Sequence, residues 1–128
     1  MCPRLDEVQQ RTDRAAEVVK ASGRTLSPQQ YGTAVHTNLN QQIKNIRDPN
    51  FVAEESFVKE RREATYGEKG SIRVDVFENV GSGTVCVYDI KTGKTPLDRE
   101  RMSEIASNIF ARYPTTRRII VSEIRPNK

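Results

Sequence analysis

The spacing of apolar residues divides the chain into seven predicted elements. Apolar positions recur at helical spacing in three segments: residues 4–21, 28–46 and 98–113. Apolar and polar positions follow the pattern of strands in four others: residues 51–58, 71–78, 84–92 and 117–124. The predicted order is therefore helix, helix, three strands, helix and a last strand.

The second predicted helix has the most regular apolar stripe. Ser27 is suited to cap its first turn, and Pro28 is suited to the first helical position. Its stripe recurs at nearly 3.6-residue spacing: Tyr31, Val35, Leu39, Ile43 and Ile46. The first helix has a sparser stripe: Leu5, Val8, Ala15, Val18 and Val19. The third predicted helix has another: Met102, Ile105, Ala106, Ile109 and Phe110.

The connections between the strands indicate the topology of the sheet. The turn sequence NVGSG, residues 79–83, favours a hairpin between the second and third strands. A helix separates the third strand from the fourth, which favours a crossover connection. The pattern predicts one α/β domain with a four-stranded mixed sheet flanked by helices.

Composition narrows the class of protein. The 128 residues suffice for one domain, and the net charge of +4 permits a polyanionic partner without requiring one. No apolar run is long enough to span a bilayer, and no signal-peptide pattern precedes the first helix. Cys2 is terminal and Cys86 lies within an apolar strand, so we expect no disulfide framework and a small core side chain at Cys86. One histidine and two distant cysteines exclude a structural zinc site.

Four polar residues interrupt otherwise apolar faces. Asp89 and Lys91 are two positions apart on a strand and therefore share one face. Asp75 lies on the neighbouring strand, and His36 borders the inward face of the second helix. Buried carboxylates on adjacent strands repel each other unless a cation lies between them, and Mg²⁺ or Mn²⁺ prefers such oxygen ligands. Lys91 could then orient a water molecule or neutralise charge on a phosphate.

Each of these residues also has an ordinary structural interpretation. An aspartate and a lysine two positions apart are commonly an edge-strand ion pair that contributes about 0–1 kcal/mol. A histidine beside an apolar helix face is commonly a hydrogen-bonded core residue, and a single aspartate within a strand commonly faces solvent. Their joint occurrence, in an order that places them near one face of the sheet, favours a functional site.

Three segments resemble the motifs of the RecB-like branch of the PD-(D/E)XK nuclease superfamily. They are GTAVH at residues 32–36, GSIRVDV at residues 70–76 and VYDIKTG at residues 87–93. The resemblance covers roughly residues 27–124 and implies a restriction-endonuclease-like core. It divides the chain into an N-terminal helix and linker, residues 1–26, and a nuclease domain, residues 27–128.

The resemblance implies roles for individual residues. His36, Asp75, Asp89 and the backbone carbonyl of Ile90 would bind Mg²⁺ or Mn²⁺, and Lys91 would be the catalytic lysine. Glu54 would be a supporting catalytic acid, with Glu55 as the alternative. Basic residues that could contact the substrate are Arg73, Lys94, Arg99, Arg101, Arg117 and Arg118. The glutamine motif common in this branch is missing from DRERMSEIASNIF, where Arg99 or Arg101 could face the substrate instead.

A narrower resemblance concerns the C-terminal toxin domains of bacterial polymorphic toxins, the effectors of contact-dependent or type VI systems. It rests on the segments YGEKGSIRVDV, VYDIKTGK and EIRP. It implies a metal-dependent DNase within a larger secreted effector, acting in the cytoplasm of a target bacterial cell and inhibited by an immunity protein. Two alternatives stay open: a housekeeping repair or recombination nuclease, and a non-cutting nucleic-acid-binding module of the same fold.

Overall fold

The computed structural model describes residues 2–58, 71–93 and 98–127. Within them lie three helices: α1 (Leu5–Ala21), α2 (Pro28–Ile46) and α3 (Arg99–Arg112). They also contain four strands: β1 (Phe51–Val58), β2 (Ser71–Gly81), β3 (Thr84–Ile90) and β4 (Arg118–Ile124). The predicted α/β class and order of elements are confirmed. No helix in the described part of the chain is long and apolar enough to cross a membrane.

The sheet is mixed and follows the order β1-β2-β3-β4. Its first three strands form an antiparallel meander, and β4 returns through α3 to lie parallel to β3. This topology confirms the predicted hairpin and crossover. The side chains of β3 alternate between two core clusters, with Cys86, Tyr88 and Ile90 on one face and Val85 and Val87 on the other.

The helix α2 forms as its sequence predicts. The Ser27 hydroxyl accepts a hydrogen bond from the Gln30 backbone N–H, and the Gln30 side chain accepts one from the Ser27 backbone N–H. This capping box satisfies donors that the first turn would otherwise leave unpaired. Val35, Leu39 and Ile43 are fully buried against the sheet. The face of α2 that carries His36 therefore has a fixed orientation.

The helix α1 packs on the same face of the sheet as α2, within one core cluster. Its buried positions are Val8, Thr12, Ala15, Ala16 and Val19. Two residues of the predicted stripe, Leu5 and Val18, are exposed instead. Thr12 tolerates burial because its hydroxyl donates a hydrogen bond to the Val8 carbonyl, 2.7 Å away. Small side chains allow this helix to lie close to its neighbours.

The expectation that Cys86 is unpaired is wrong, because Cys2 and Cys86 form a disulfide with Cα atoms 5.9 Å apart. Packing of α1 over the sheet brings Cys2, which precedes the helix, close to Cys86 in the middle of β3. The two cysteines are 84 positions apart in the sequence, so their pairing depends on how α1 docks. Local sequence patterns carry no information about that docking.

The helix α3 covers the opposite face of the sheet. Asp98 caps its first turn by accepting a hydrogen bond from the Arg101 backbone N–H, 2.7 Å away. Ile105 and Ile109 are fully buried in the second core cluster. Two residues of the predicted stripe, Met102 and Phe110, are exposed, so the buried stripe is narrower than the apolar pattern indicated. The sheet thus lies between two helical layers.

Candidate active site

His36 lies over the end of β3 and the adjoining part of β2, and its ring contacts three oxygen atoms. Its Nδ1 atom is 2.8 Å from the Gly32 carbonyl oxygen, which can only accept a hydrogen bond, so Nδ1 carries a proton. Its Nε2 atom is 3.0 Å from the Ile90 carbonyl oxygen and 3.5 Å from Asp75 Oδ2. Both of these oxygens are hydrogen-bond acceptors when Asp75 is ionised.

This geometry requires a positive charge at Nε2. A neutral imidazole protonated at Nδ1 would direct the Nε2 lone pair towards two oxygen atoms, which is repulsive. A proton or a metal ion at that position removes the repulsion. In the metal-free protein a proton on Nε2 removes the repulsion. The hydrogen bond to Asp75 and the negative charge of Asp75 raise the pKa of His36 to about 9, although burial acts to lower it.

Gly32 allows α2 to approach this point closely. A Cβ atom at residue 32 would lie 2.7 Å from Thr92 Oγ1, which follows β3. Any larger residue would displace either Thr92 or the helix. Gly32 therefore has two roles: it allows the close approach of α2 to Thr92, and its carbonyl oxygen fixes the orientation of the His36 ring through a hydrogen bond.

Asp75 joins β2 to the end of β3 through its side chain. Its Oδ2 atom accepts the Ile90 backbone N–H at 2.9 Å. Burial acts to raise the pKa of Asp75, but the hydrogen bond and charge of His36, together with the Ile90 N–H, outweigh burial and hold that pKa below its ordinary value. Asp75 is thus an ionised carboxylate beside His36 at neutral pH.

Asp89 and Lys91 meet as their spacing predicts, with Lys91 Nζ 3.2 Å from Asp89 Oδ2. Asp89 is only 3% exposed, and its Oδ2 atom has no hydrogen-bond partner within the described residues. The contact with Lys91 is therefore an ion pair without hydrogen-bond geometry. Burial, followed by the negative charge of Asp75, raises the pKa of Asp89, while the charges of Lys91 and Arg101 act in the opposite direction.

Glu54 has unusual backbone geometry for a strand residue. Its φ of 54° lies in the left-handed region, which costs a non-glycine residue of order 1–3 kcal/mol. Its carboxylate lies 3.7 Å from Lys44 Nζ and 3.5 Å from an Arg73 guanidinium nitrogen. The carboxylate of Glu54 thus lies between the Lys44 and Arg73 side chains, in the same cleft as Asp75.

A cleft of about 310 Å³ opens between α2 and the first two strands. It brings together three of the predicted site residues, His36, Glu54 and Asp75, together with the predicted substrate contact Arg73. The remaining lining residues, which the sequence analysis did not identify, are Thr33, Thr37 and Asn40. Their only sequence signal is their spacing, which places them on the helix face that carries His36.

The other basic residues predicted to contact substrate lie in different places. Arg101 donates a hydrogen bond to the Arg73 carbonyl oxygen at 2.6 Å and so ties α3 to β2. Arg99 is exposed in the first turn of α3. Lys94 lies outside the described residues.

Arg117 and Arg118 lie beside the opposite end of β3 from the candidate site. Their backbone N–H groups donate to the Gly83 carbonyl oxygen, and Arg118 pairs with Thr84. At strand spacing, Thr84 is about 17 Å from Asp89. These two arginines therefore do not share the cleft with Asp75.

The donor atoms around His36 Nε2 suit a small hard cation. Adjacent ligands of an octahedral Mg²⁺ ion lie about 3 Å apart, since each lies 2.0–2.1 Å from the metal. The separations of 3.0 and 3.5 Å from Nε2 to the two oxygens are similar. Within the described residues, no group of three or more histidine, cysteine, aspartate or glutamate side chains is arranged to hold a metal. The available set is therefore two side chains and one carbonyl, which suits a cation that retains several water ligands.

Comparison of the chain with protein-family models, with curated proteins and with solved structures found no match.

Proposed function

We propose that the protein is a metal-dependent DNA endonuclease with a restriction-endonuclease-like core. The observation that carries the proposal is the meeting of the His36 Nε2 atom, the Asp75 carboxylate and the Ile90 carbonyl oxygen at one point. The Asp89–Lys91 ion pair lies on the same strand, next to that point. The PD-(D/E)XK resemblance implies the same residues, but it makes Asp89 a metal ligand, whereas the Asp89 carboxylate contacts Lys91 in the metal-free protein.

The residues can be assigned complementary tasks. His36, Asp75 and the Ile90 carbonyl would hold Mg²⁺ or Mn²⁺, which would supply charge neutralisation and activation of water at a phosphodiester. The Lys91 side chain is 29% exposed, so its ammonium group can reach a phosphate oxygen from the end of β3. Asp89 holds that ammonium group, and the Asp75 hydrogen bond to the Ile90 N–H fixes the position of the strand end.

We further propose that the domain is the toxin part of an interbacterial effector. The Cys2–Cys86 disulfide supports this, because disulfides persist mainly in proteins that leave a reducing cytoplasm. A housekeeping repair nuclease would stay in the reducing cytoplasm, where a disulfide is not expected to persist. In this proposal the domain acts in the cytoplasm of a target cell, and a cognate immunity protein with acidic residues binds the positively charged chain.

One observation favours the non-cutting alternative. In the part of the chain that the structure describes, Asp89 contacts Lys91, and no cluster of three acidic or imidazole side chains is arranged around a common metal position. In a domain that binds nucleic acid without cleaving it, Asp89 would stay paired with Lys91 and no metal would bind.

Cleavage of supercoiled plasmid tests the proposal. The purified domain should convert the plasmid to nicked or linear forms in MgCl₂, and EDTA should prevent the conversion. Asp89→Asn should lower the rate of cleavage on the order of 10²-fold or more, whereas Asp6→Asn, a change at an exposed aspartate of α1, should leave the rate unchanged. Intact plasmid with wild-type protein would contradict the DNase proposal, and digestion of RNA instead would change the substrate class.

A further inference from the structure

Asn40 is a buried polar residue without an evident structural purpose. It lies on α2, is 6% exposed and lines the cleft that contains His36 and Asp75. Among the described residues, we find no hydrogen-bond partner for its side-chain amide. Among the described residues, the fully buried side-chain atoms without a hydrogen-bond partner are Asp89 Oδ2 and Asn108 Oδ1, so the polar atoms of Asn40 remain accessible within the cleft and can bind a ligand there.

The neighbouring residues on α2 extend this polar surface. Thr33, Thr37 and Asn40 follow one another at intervals of four and three residues, so they share one helix face with His36. All three line the cleft. The face thus presents two hydroxyl groups and one amide NH₂ group, each able to donate a hydrogen bond into the same space.

The charges around the cleft permit an anionic ligand. Two carboxylates, those of Glu54 and Asp75, line this cleft. Glu54 contacts both Lys44 and Arg73, and Asp75 contacts the protonated His36 ring, so a cation offsets the charge of each carboxylate. The Arg73 guanidinium group, which also lines the cleft, is a further hydrogen-bond donor of the kind that binds phosphate.

We propose that Asn40, with Thr33 and Thr37, binds a phosphate of the nucleic-acid strand next to the one that is cleaved. A phosphate diester accepts hydrogen bonds and donates none, so it matches a surface of donors better than a neutral polar ligand does. The Asn40 amide then gains in the complex the hydrogen bond that it lacks in the free protein. This inference rests on the proposed function and adds a binding residue that the sequence motifs do not include.

The test compares Asn40→Ala with Asn45→Ala, a matched change at an exposed asparagine of the same helix. Asn40→Ala should raise the KM for cleavage of a short duplex by about tenfold or more, the usual effect of losing a hydrogen bond to a charged group. It should leave the melting temperature unchanged or higher, because no hydrogen bond of the free protein is lost. Asn45→Ala should leave the KM unchanged.

A titration in EDTA separates this inference from the proposed nuclease activity. A 5′-phosphorylated thymidine dinucleotide should shift the NMR signals of the Asn40 amide and of His36, the chain's single histidine, and Asn40→Ala should prevent the His36 shift. If wild-type protein cuts DNA but Asn40→Ala changes neither the KM nor the titration, the inference fails and the nuclease proposal stands. If nothing is cut but the Asn40-dependent shift occurs, the phosphate site stands and the nuclease proposal fails. A lower melting temperature with an unchanged KM would make Asn40 structural and would overturn the inference.

Discussion

Two polar clusters lie on β2 and β3 beneath the helices, and they differ in how completely their members are paired. The first surrounds Arg4, whose guanidinium group donates hydrogen bonds of 2.9 Å to both Glu7 and Asp48. The same group lies 3.9 Å from Glu78, which is 5% exposed and accepts the Tyr88 hydroxyl at 2.7 Å. Each acid in this cluster therefore faces a hydrogen-bond donor or a cation.

The second cluster surrounds His36 and is incompletely paired. The His36 Nε2 atom faces two oxygens, Asp89 Oδ2 lacks a hydrogen bond, and the Asn40 amide has no partner among the described residues. Glu54, close by, has a strained backbone. Polar clusters that only stabilise a fold are normally satisfied from within, whereas binding sites keep groups that a ligand satisfies. The comparison supports a structural role for the Arg4 cluster and a binding role for the His36 cluster.

The largest expected effect is that of Asp89→Asn. Loss of its charge beside Lys91 should lower the rate of metal-dependent plasmid cleavage on the order of 10²-fold or more. Because the folded-state pKa of Asp89 is raised, its ionisation costs stability as the pH rises through that pKa, and asparagine removes this cost at neutral pH. Thermal melts should therefore show a melting temperature equal to or above that of the wild type. A large loss of stability would place Asp89 among the structural residues.

The next effect concerns the disulfide that joins α1 to β3. Reduction, or Cys2→Ser, should lower the free energy of unfolding by about 2–4 kcal/mol, because the bond closes a long loop in the unfolded chain. Urea denaturation with and without reductant measures the difference. The Cys2→Ser variant should show no response to reductant. Two free thiols in the unreduced, unfolded protein would contradict the assignment.

Arg4→Ala tests the structural half of the comparison. It removes the hydrogen bonds to Glu7 and Asp48 as well as the cation that faces Glu78, and it should lower the free energy of unfolding by about 2 kcal/mol, the scale of a hydrogen bond between charged groups. Cleavage measured well below the melting temperature should not change. Arg14→Ala, at an exposed position of the same helix, should have little effect on either quantity. Loss of cleavage activity in a folded Arg4→Ala protein would contradict a purely structural role for the Arg4 cluster.

The smallest effect is the titration of His36. Its folded-state pKa of about 9 lies above its ordinary value of 6.5. The ion pair with Asp75 therefore stabilises the folded protein fully below about pH 6.5, and this stabilisation is lost as the pH rises through about 9. NMR of the imidazole of metal-free protein measures this pKa directly, since the chain has one histidine. Asp75→Asn should lower it towards 6.5. An unchanged pKa in that variant would show that Asp75 is not the cause.

The features that could be predicted from the sequence are those encoded within one element. The 3.6-residue stripe of α2, the Ser27 cap and the contact between Asp89 and Lys91 all follow from local spacing. The hairpin between β2 and β3 follows from the turn sequence at residues 79–83, and the crossover follows from the helix between β3 and β4.

The features that sequence analysis missed depend on how the elements dock. Small and polar residues such as Thr12 and Ala16 are buried in α1 while Val18 is exposed, because the neighbouring helix and the sheet determine which face turns inward. The Cys2–Cys86 pair follows from that docking. Asn40 resembles any other polar helix residue in sequence, and only the structure shows that its side chain is largely buried and lines the cleft.

Paramagnetic broadening by Mn²⁺ tests most directly whether the His36 cluster is a cation site. Mn²⁺ added below stoichiometric amounts to the metal-free protein should broaden the imidazole signals of His36 before those of other side chains. Excess Mg²⁺ should restore the signals, and Asp75→Asn should prevent the broadening. Imidazole signals that stay sharp, or broadening that persists unchanged in Asp75→Asn, would contradict the account.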